Sequence, residues 1–295
     1  MSRSEIAIRA EQLRCQRAAF VHAQVVLAER PTSAKPGDEA LVLADGTIEG
    51  FVGGDCALST VRAQSLALLD SGETLLLRIS PQPEPEQAGK LVVHNPCLSG
   101  GTLEIFLEPN IPVPYVVVVG DSPVARALVA LGTPLGYDVH PYRGELPADT
   151  AAVVVASHGR DEEPVLVDAL RAGVPYVGLV ASHKRGDAVV ASLEVCPSMR
   201  AQVVTPAGLD INARTPEEIA LSILADIVAR RPRPSGRPIA AGGAAAGTAI
   251  DPVCGMTVAT TESSLHLDHD GTRVWFCGSG CLRAFAADPE AHPAR

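Results

Sequence analysis

The sequence predicts an α/β protein in three unequal parts. These are an α+β N-terminal domain, a Rossmann-like parallel-sheet domain and a small metal-stapled C-terminal module. Three observations predict this. In residues 1–111, short apolar runs are divided by Asp-Gly and Gly-Gly turns and by one apolar-periodic helix. From Tyr115 onward, continuous apolar runs alternate with helix-period segments, the pattern of strands covered on both faces. Residues 250–295 are too few to bury much apolar surface, yet they hold three of the seven cysteines.

The elements follow in order. Ile6, Ile8 and Leu13 stand at helical spacing within residues 4–19. A β-branched run from Val21 to Leu27 follows, with Pro31 and Pro36-Gly37 after it. Residues 41–44 meet Asp45-Gly46, a hairpin signal, and 47–52 return as a strand. Gly53-Gly54-Asp55 leads into a helix at 57–70 that stops near Gly72. Strands are expected at 75–79 and 102–107, with a loop at 81–89 that carries three prolines. In the second part, residues 112–231, strands fall at 115–119, 151–156, 176–180 and 203–204. Helices are expected at 123–134, 162–172 and 184–193. Thr215-Pro216-Glu217-Glu218 opens the last helix with an N-cap, a proline at the first position and a capping box. Strands spaced by such helices imply right-handed βαβ units. Residues 232–249 are rich in Pro, Arg, Gly and Ala and read as a flexible linker.

Composition narrows the function. The chain has 295 residues and a net charge of −10, which opposes an electrostatic grip on nucleic acid or anionic lipid. No apolar run approaches the ~20 residues of a membrane span, and residues 1–12 show no secretory signal. Seven scattered cysteines fit a cytoplasmic chain with reduced thiols. No Ser/His/Asp or Cys/His nucleophile constellation stands out.

Two regions carry candidate chemistry. In the C-terminal part, Cys277 is expected to end a strand and Cys281 to follow one helical turn later. Cys254 on a glycine-containing turn is the third candidate ligand. Thiolates suit Zn(II) or Cu(I), and a helix N-terminus favours the thiolate form. His266 and His269 are candidates for a fourth ligand. In the parallel-sheet part, Gly120-Asp121-Ser122-Pro123 follows a strand and opens a helix, the position of a phosphate loop. Only the first glycine of the dinucleotide fingerprint is present. Ser157-His158 and Ser182-His183-Lys184-Arg185 follow other strands, at the sheet edge where open α/β folds bind ligands. Cys56 and Cys97 lie beside glycines, where a ligand or a backbone can approach closely; either could be a metal-binding thiolate or a small buried hydrophobe. Cys15 and Cys196 read as structural or incidental, and Lys35 as a solvated loop lysine that could contact an anion.

Asp251-Pro252-Val253-Cys254-Gly255-Met256, Trp275-Phe276-Cys277, Cys281, Phe285 and Asp288-Pro289-Glu290 resemble the YHS domain, a small metal-binding module. The run Thr205 to Ile223, which includes Asp210, resembles the closing signature of the xanthine dehydrogenase accessory factor family of the XdhC and CoxI type. Ser157-His158-Gly159-Arg160-Asp161 and Tyr176-Val177-Gly178 resemble two further segments of that family. So do Gly53-Gly54 with Cys56, and Cys97 with Gly100-Gly101. Gly-Asp-Ser-Pro at 120–123 stands where that family usually has Gly-Ala-Gly-His.

The resemblance implies a maturation and insertion factor that binds molybdenum cofactor for a client molybdenum hydroxylase, of xanthine dehydrogenase or CO dehydrogenase type. A sulfur donor such as a cysteine desulfurase is an implied partner, and a homodimer is compatible with it. On this reading Gly120, Ser122, Ser157, His158, Ser182, Lys184, Arg185 and Asp210 bind the cofactor, with Cys56 and Cys97 towards its metal, in a cleft between the first two domains. Cys254, Cys277 and Cys281 bind a thiophilic ion, Zn or Cu. The alternatives are a nucleotide-dependent oxidoreductase, and a metal-binding or resistance protein on a scaffold that binds no cofactor.

Overall fold

The computed structural model describes residues 1–96, 101–160, 162–231 and 247–292. The chain forms two compact units, Met1–Pro112 with Arg233–Arg295, and Val113–Pro232.

The first unit begins with α1 (Arg3–Cys15), β1 (Phe20–Ala28), β2 (Glu39–Leu43) and β3 (Ile48–Gly50). It continues through α2 (Asp55–Ser71), β4 (Leu75–Ser80), β5 (Leu91–His94) and β6 (Leu103–Asn110). The sheet order is β3-β2-β1-β6-β4-β5. Alternation along β1 divides its side chains between two layers. Val21, Ala23 and Val25 join Ala57, Val61 and Leu68 of α2 in one core. Phe20 joins Ile6 and Leu13 of α1 in the other. The α2 residues recur at helical spacing, so one stripe meets the sheet. The short strand β5 follows the proline-rich loop and pairs parallel to β4; it was not expected from the sequence.

The second unit contains β7 (Tyr115–Val119), α3 (Pro123–Gly132), β8 (Asp138–Pro141), β9 (Thr150–Val155) and α4 (Glu162–Arg171). After these come β10 (Tyr176–Leu179), α5 (His183–Ser192), α6 (Pro197–Arg200), β11 (Val203–Val204) and α7 (Pro216–Arg230). The sheet order is β11-β10-β9-β7-β8, and every pairing is parallel. Val116, Val118 and Val154 face α3 and α7 through Leu128, Ile223 and Leu224. Val117, Val153 and Val155 pack with Val165, Leu166 and Leu170 of α4. Helices thus cover both faces, which is why the strands are apolar throughout. The connections reverse between β7 and β9, so their carboxyl ends form the topological switch point.

The C-terminal module holds β12 (Thr248–Ile250), β13 (Thr257–Ala259), β14 (Leu265–His269), β15 (Thr272–Phe276) and α8 (Ser279–Ala287). It has two two-stranded sheets, β12-β13 and β14-β15, and a small core of Val274, Phe276 and Phe285. Residues 232–246 of the expected linker lie outside the described residues. Thr248 and Ala249, expected in that linker, belong to β12 and pair with β13. The module packs on the first domain: Ser263 Oγ donates to the Asp45 carbonyl at 3.5 Å, and Ser279 Oγ donates to Asp55 Oδ2 at 3.3 Å.

Candidate functional site

The thiol cluster starts from a tight turn. β12 ends at Ile250 and β13 begins at Thr257, so Asp251 to Met256 must reverse the chain. Asp251 N–H donates to the Met256 carbonyl and Gly255 N–H to the Asp251 carbonyl, both at 2.8 Å. Gly255 adopts φ +76, which favours glycine. This turn carries Cys254 towards the segment that leaves β15. Cys277 lies just after the strand and before α8, and Cys281 lies in the first turn of that helix.

The sulfurs converge. Cys277 Sγ is 3.5 Å from Cys254 Sγ and 3.7 Å from Cys281 Sγ. A tetrahedral ion with metal–sulfur bonds of about 2.3 Å holds its sulfurs about 3.8 Å apart, so the spacing fits. Asp251 completes the cluster: its carboxylate and the three sulfurs all lie within 4.8 Å of one another. That carboxylate is fully buried. Its Oδ1 accepts the Val253 N–H at 2.9 Å and its Oδ2 accepts the Cys277 N–H at 2.8 Å. It therefore positions the two cysteine segments.

Electrostatics distinguish the three thiols. A hydrogen bond from Cys277 holds the Cys254 thiol below the usual range, against the cost of burial. The Cys277 thiol is pushed up by its bonds to Cys254 and Cys56 and by burial. The Cys281 thiol is raised by burial and by the nearby Asp251 and Cys254 charges. An arriving cation would relieve this repulsion and release thiol protons.

The histidines expected as fourth ligands are engaged elsewhere. His266 Nδ1 lies 2.9 Å from the Ser264 carbonyl, and its ring packs on Trp275. The His269 ring meets the edge of Phe285. Among the described residues, neither joins the cluster.

Cys56 reaches the cluster from the first domain. It sits in the first turn of α2, and its Sγ is 4.0 Å from Cys277 Sγ. Met256, Val258 and Cys277 form the buried part of an apolar group that Cys56, Cys254 and Cys281 flank. Beside it opens a cavity of about 1070 Å³, lined by Arg30, Cys56 and Asn95 of the first domain and Cys254, Cys281 and Arg283 of the module. Cys97 lies outside the described residues.

The other candidates stand at the carboxyl ends of the parallel strands. Gly120 follows β7 with φ +106, and a Cβ there would lie 2.6 Å from the Ala156 carbonyl oxygen. Glycine is required because the switch-point loops pack on each other. Ser122 is the N-cap of α3 and accepts from the Ala125 N–H at 3.1 Å. Ser182 caps α5 in the same way. Ser157 Oγ donates to the Arg160 carbonyl at 2.7 Å. Arg185 binds the buried Glu162 carboxylate and the Val180 carbonyl. His158 (φ +55), Lys184 and Asp210 are exposed. At the end of β8, where a dinucleotide site would place an acidic residue, the chain reads His140-Pro141.

Residues 13–80 match the XdhC and CoxI family, residues 116–227 match the XdhC Rossmann domain, and residues 249–293 match the YHS domain. The chain belongs to the XdhC and CoxI family. Its XdhC and CoxI segment carries Cys56, its XdhC Rossmann domain carries the strand-end candidates, and its YHS domain carries the three-cysteine cluster. Two Escherichia coli (strain K12) proteins are similar. The uncharacterized protein YqeB is 27% identical over 250 residues, 74% of this chain and 45% of YqeB. The molybdenum cofactor insertion chaperone PaoD is 23% identical over 256 residues, 68% of this chain and 80% of PaoD. The XdhC and CoxI chain thus spans under half the length of YqeB. A solved structure described as a xanthine dehydrogenase from Bacillus halodurans is 15% identical, with a TM-score of 0.49 over 75% of this chain and 65% of that one. Among the described residues of this family member, no helix is long and apolar enough to cross a membrane.

Two contributors to the site escaped sequence reasoning. Asp251 belongs to the YHS-like motif, but its role as the clamp between Val253 and Cys277 has no signal in the sequence. The proximity of Cys56 to Cys277 spans 221 positions in sequence, and the nearest signal for it was the pair of glycines before Cys56.

Proposed function

We propose that this chain binds molybdenum cofactor and helps to insert it into a molybdenum hydroxylase, with its YHS domain holding a thiophilic metal ion. The observation that carries this reading is the similarity to PaoD, a molybdenum cofactor insertion chaperone, over four-fifths of that protein's length. The XdhC and CoxI domains supply the shared framework.

The exposed loops at the switch point are the candidates for the cofactor's phosphate. Backbone N–H groups at the start of α3, with the helix dipole, favour an anion there. His158 and Lys184 are exposed and able to add positive charge. Ser122, Ser157, Ser182 and Arg185 shape these loops through their local hydrogen bonds. The cofactor itself would carry the molybdenum chemistry to the client enzyme. The thiol cluster of the YHS domain fits a tetrahedral thiophilic ion, Zn(II) or Cu(I), by donor type and spacing. A sulfur donor and a second copy of the chain are further partners of this reading, in a cytoplasmic setting.

The test is to load the purified full chain with molybdenum cofactor and re-isolate it. Molybdenum and pterin, read by metal analysis and oxidised-pterin fluorescence, should be retained together near one per chain. Loss of both on gel filtration under every loading condition would sink the reading.

A further inference from the structure

We propose that Cys56 of the first domain is a ligand to the same thiophilic ion as Cys254, Cys277 and Cys281, so that the metal site is shared between two domains. The proposal deepens the metal-binding reading of the YHS domain and rests on it.

Geometry carries the argument. Cys277 is the hub, with Cys254, Cys281 and Cys56 sulfurs at 3.5, 3.7 and 4.0 Å. All three distances match the ~3.8 Å spacing of sulfurs around one tetrahedral ion. The module alone offers three thiols and Asp251, but Asp251 already accepts two backbone N–H groups. His266 and His269 point into other contacts. A fourth thiolate is therefore best supplied by Cys56, which lies one sulfur–sulfur spacing from Cys277 but outside the group mutually within 4.8 Å, so its side chain must swing towards Cys254 and Cys281 to complete the site.

The contact is also built for closeness. A Cβ on Gly278 would stand 3.3 Å from both Cys56 Sγ and Asp55 Cβ, so the absence of a side chain there lets the two segments meet. Ser279 fixes the neighbouring Asp55. Cys277 is buried, at 3% exposure, whereas Cys56, Cys254 and Cys281 are half-buried beside the cavity. The ion can therefore reach the site from the cavity, which suits an exchangeable ion. On binding, each thiol that bonds the ion releases its proton to solvent, and no electron is transferred.

The experiment uses the reduced full chain stripped of metal, with and without one equivalent of Zn(II). It is pulsed with N-ethylmaleimide and read by peptide mass spectrometry. Zn(II) should slow labelling of Cys56, Cys254, Cys277 and Cys281 together, while the exposed Cys15 and Cys196 label at unchanged rates. Protection of the three module cysteines with Cys56 labelled at its metal-free rate overturns the shared site alone. No protection of any of them overturns the module's metal reading as well. A second measurement uses Co(II) on the full chain. Cys56→Ser should lower the sulfur-to-cobalt charge-transfer absorption per bound ion by about a quarter, as four thiolates become three. An unchanged intensity would remove Cys56 from the ligand set.

Discussion

The Asp251 carboxylate accepts the Cys277 backbone N–H at 2.8 Å, tying the turn after β12 to the segment that leaves β15. One buried side chain thereby sets the separation of Cys254 and Cys277 before any ion arrives.

Asp251→Ala should leave two backbone N–H groups without their acceptor and cost about 2–4 kcal/mol of stability in the unit that holds the module. Metal affinity should fall by about 10–100-fold, as for other residues that orient ligands. Thermal unfolding and a chelator competition on the full chain read the two effects. Wild-type affinity in the variant would show that Asp251 is not the clamp.

Gly255→Ala tests the turn with less disruption. A Cβ there meets no atom within 4 Å, so the cost is backbone strain at φ +76, about 1–2 kcal/mol. Metal stoichiometry should stay the same while the melting temperature drops. A lost site with an unchanged melting temperature would contradict this account.

In the parallel-sheet unit, Glu162 and Arg185 form the corresponding clasp. Burial alone would raise the Glu162 carboxyl, but the Arg185 guanidinium and the Gly159 N–H hold it below its ordinary value of 4.5. Because the folded value is depressed, the clasp contributes fully above pH 4.5 and is lost as pH falls through the folded value. Arg185→Ala should cost about 1–3 kcal/mol, discounted because Arg185 is partly exposed. Urea unfolding at neutral pH and in mild acid checks this: the deficit of the variant should shrink as Glu162 protonates.

Lys184 offers the contrast, since it is exposed and makes no described hydrogen bond or ion pair that shapes α5. Lys184→Ala should weaken retention of the cofactor by several-fold with the melting temperature unchanged. Equal retention in the variant would take Lys184 out of the proposed phosphate site.

Much of the fold was legible because its period is strong. Val116 to Val119 and Val153 to Val155 are apolar at every position, as burial on both faces demands. β8 was missed for the opposite reason. It is an edge strand, half exposed, and it carries His140 and ends at Pro141, so it shows no apolar run. The thiol cluster was legible in three cysteines of one short C-terminal stretch, Cys277 and Cys281 one helical turn apart and Cys254 on a turn 23 residues before Cys277. Its fourth sulfur neighbour was not, because nothing in local periodicity relates Cys56 to Cys277. The strand-end serines Ser122 and Ser182 cap helices, a local role that residue type alone does not separate from ligand binding.

The first unit is discontinuous: its C-terminal portion follows the whole parallel-sheet unit in the chain. During synthesis, N-terminal segments fold as they emerge. Cys56 and the first-domain wall of the cavity are thus made early and wait through more than a hundred residues for the segment that carries Cys277. Until then α2 presents Cys56 without its apolar neighbours Met256 and Val258. A chain arrested or cleaved before residue 250 would keep its parallel sheet and lose the cluster, so possession of the assembled sulfur cluster marks a chain translated past Cys281.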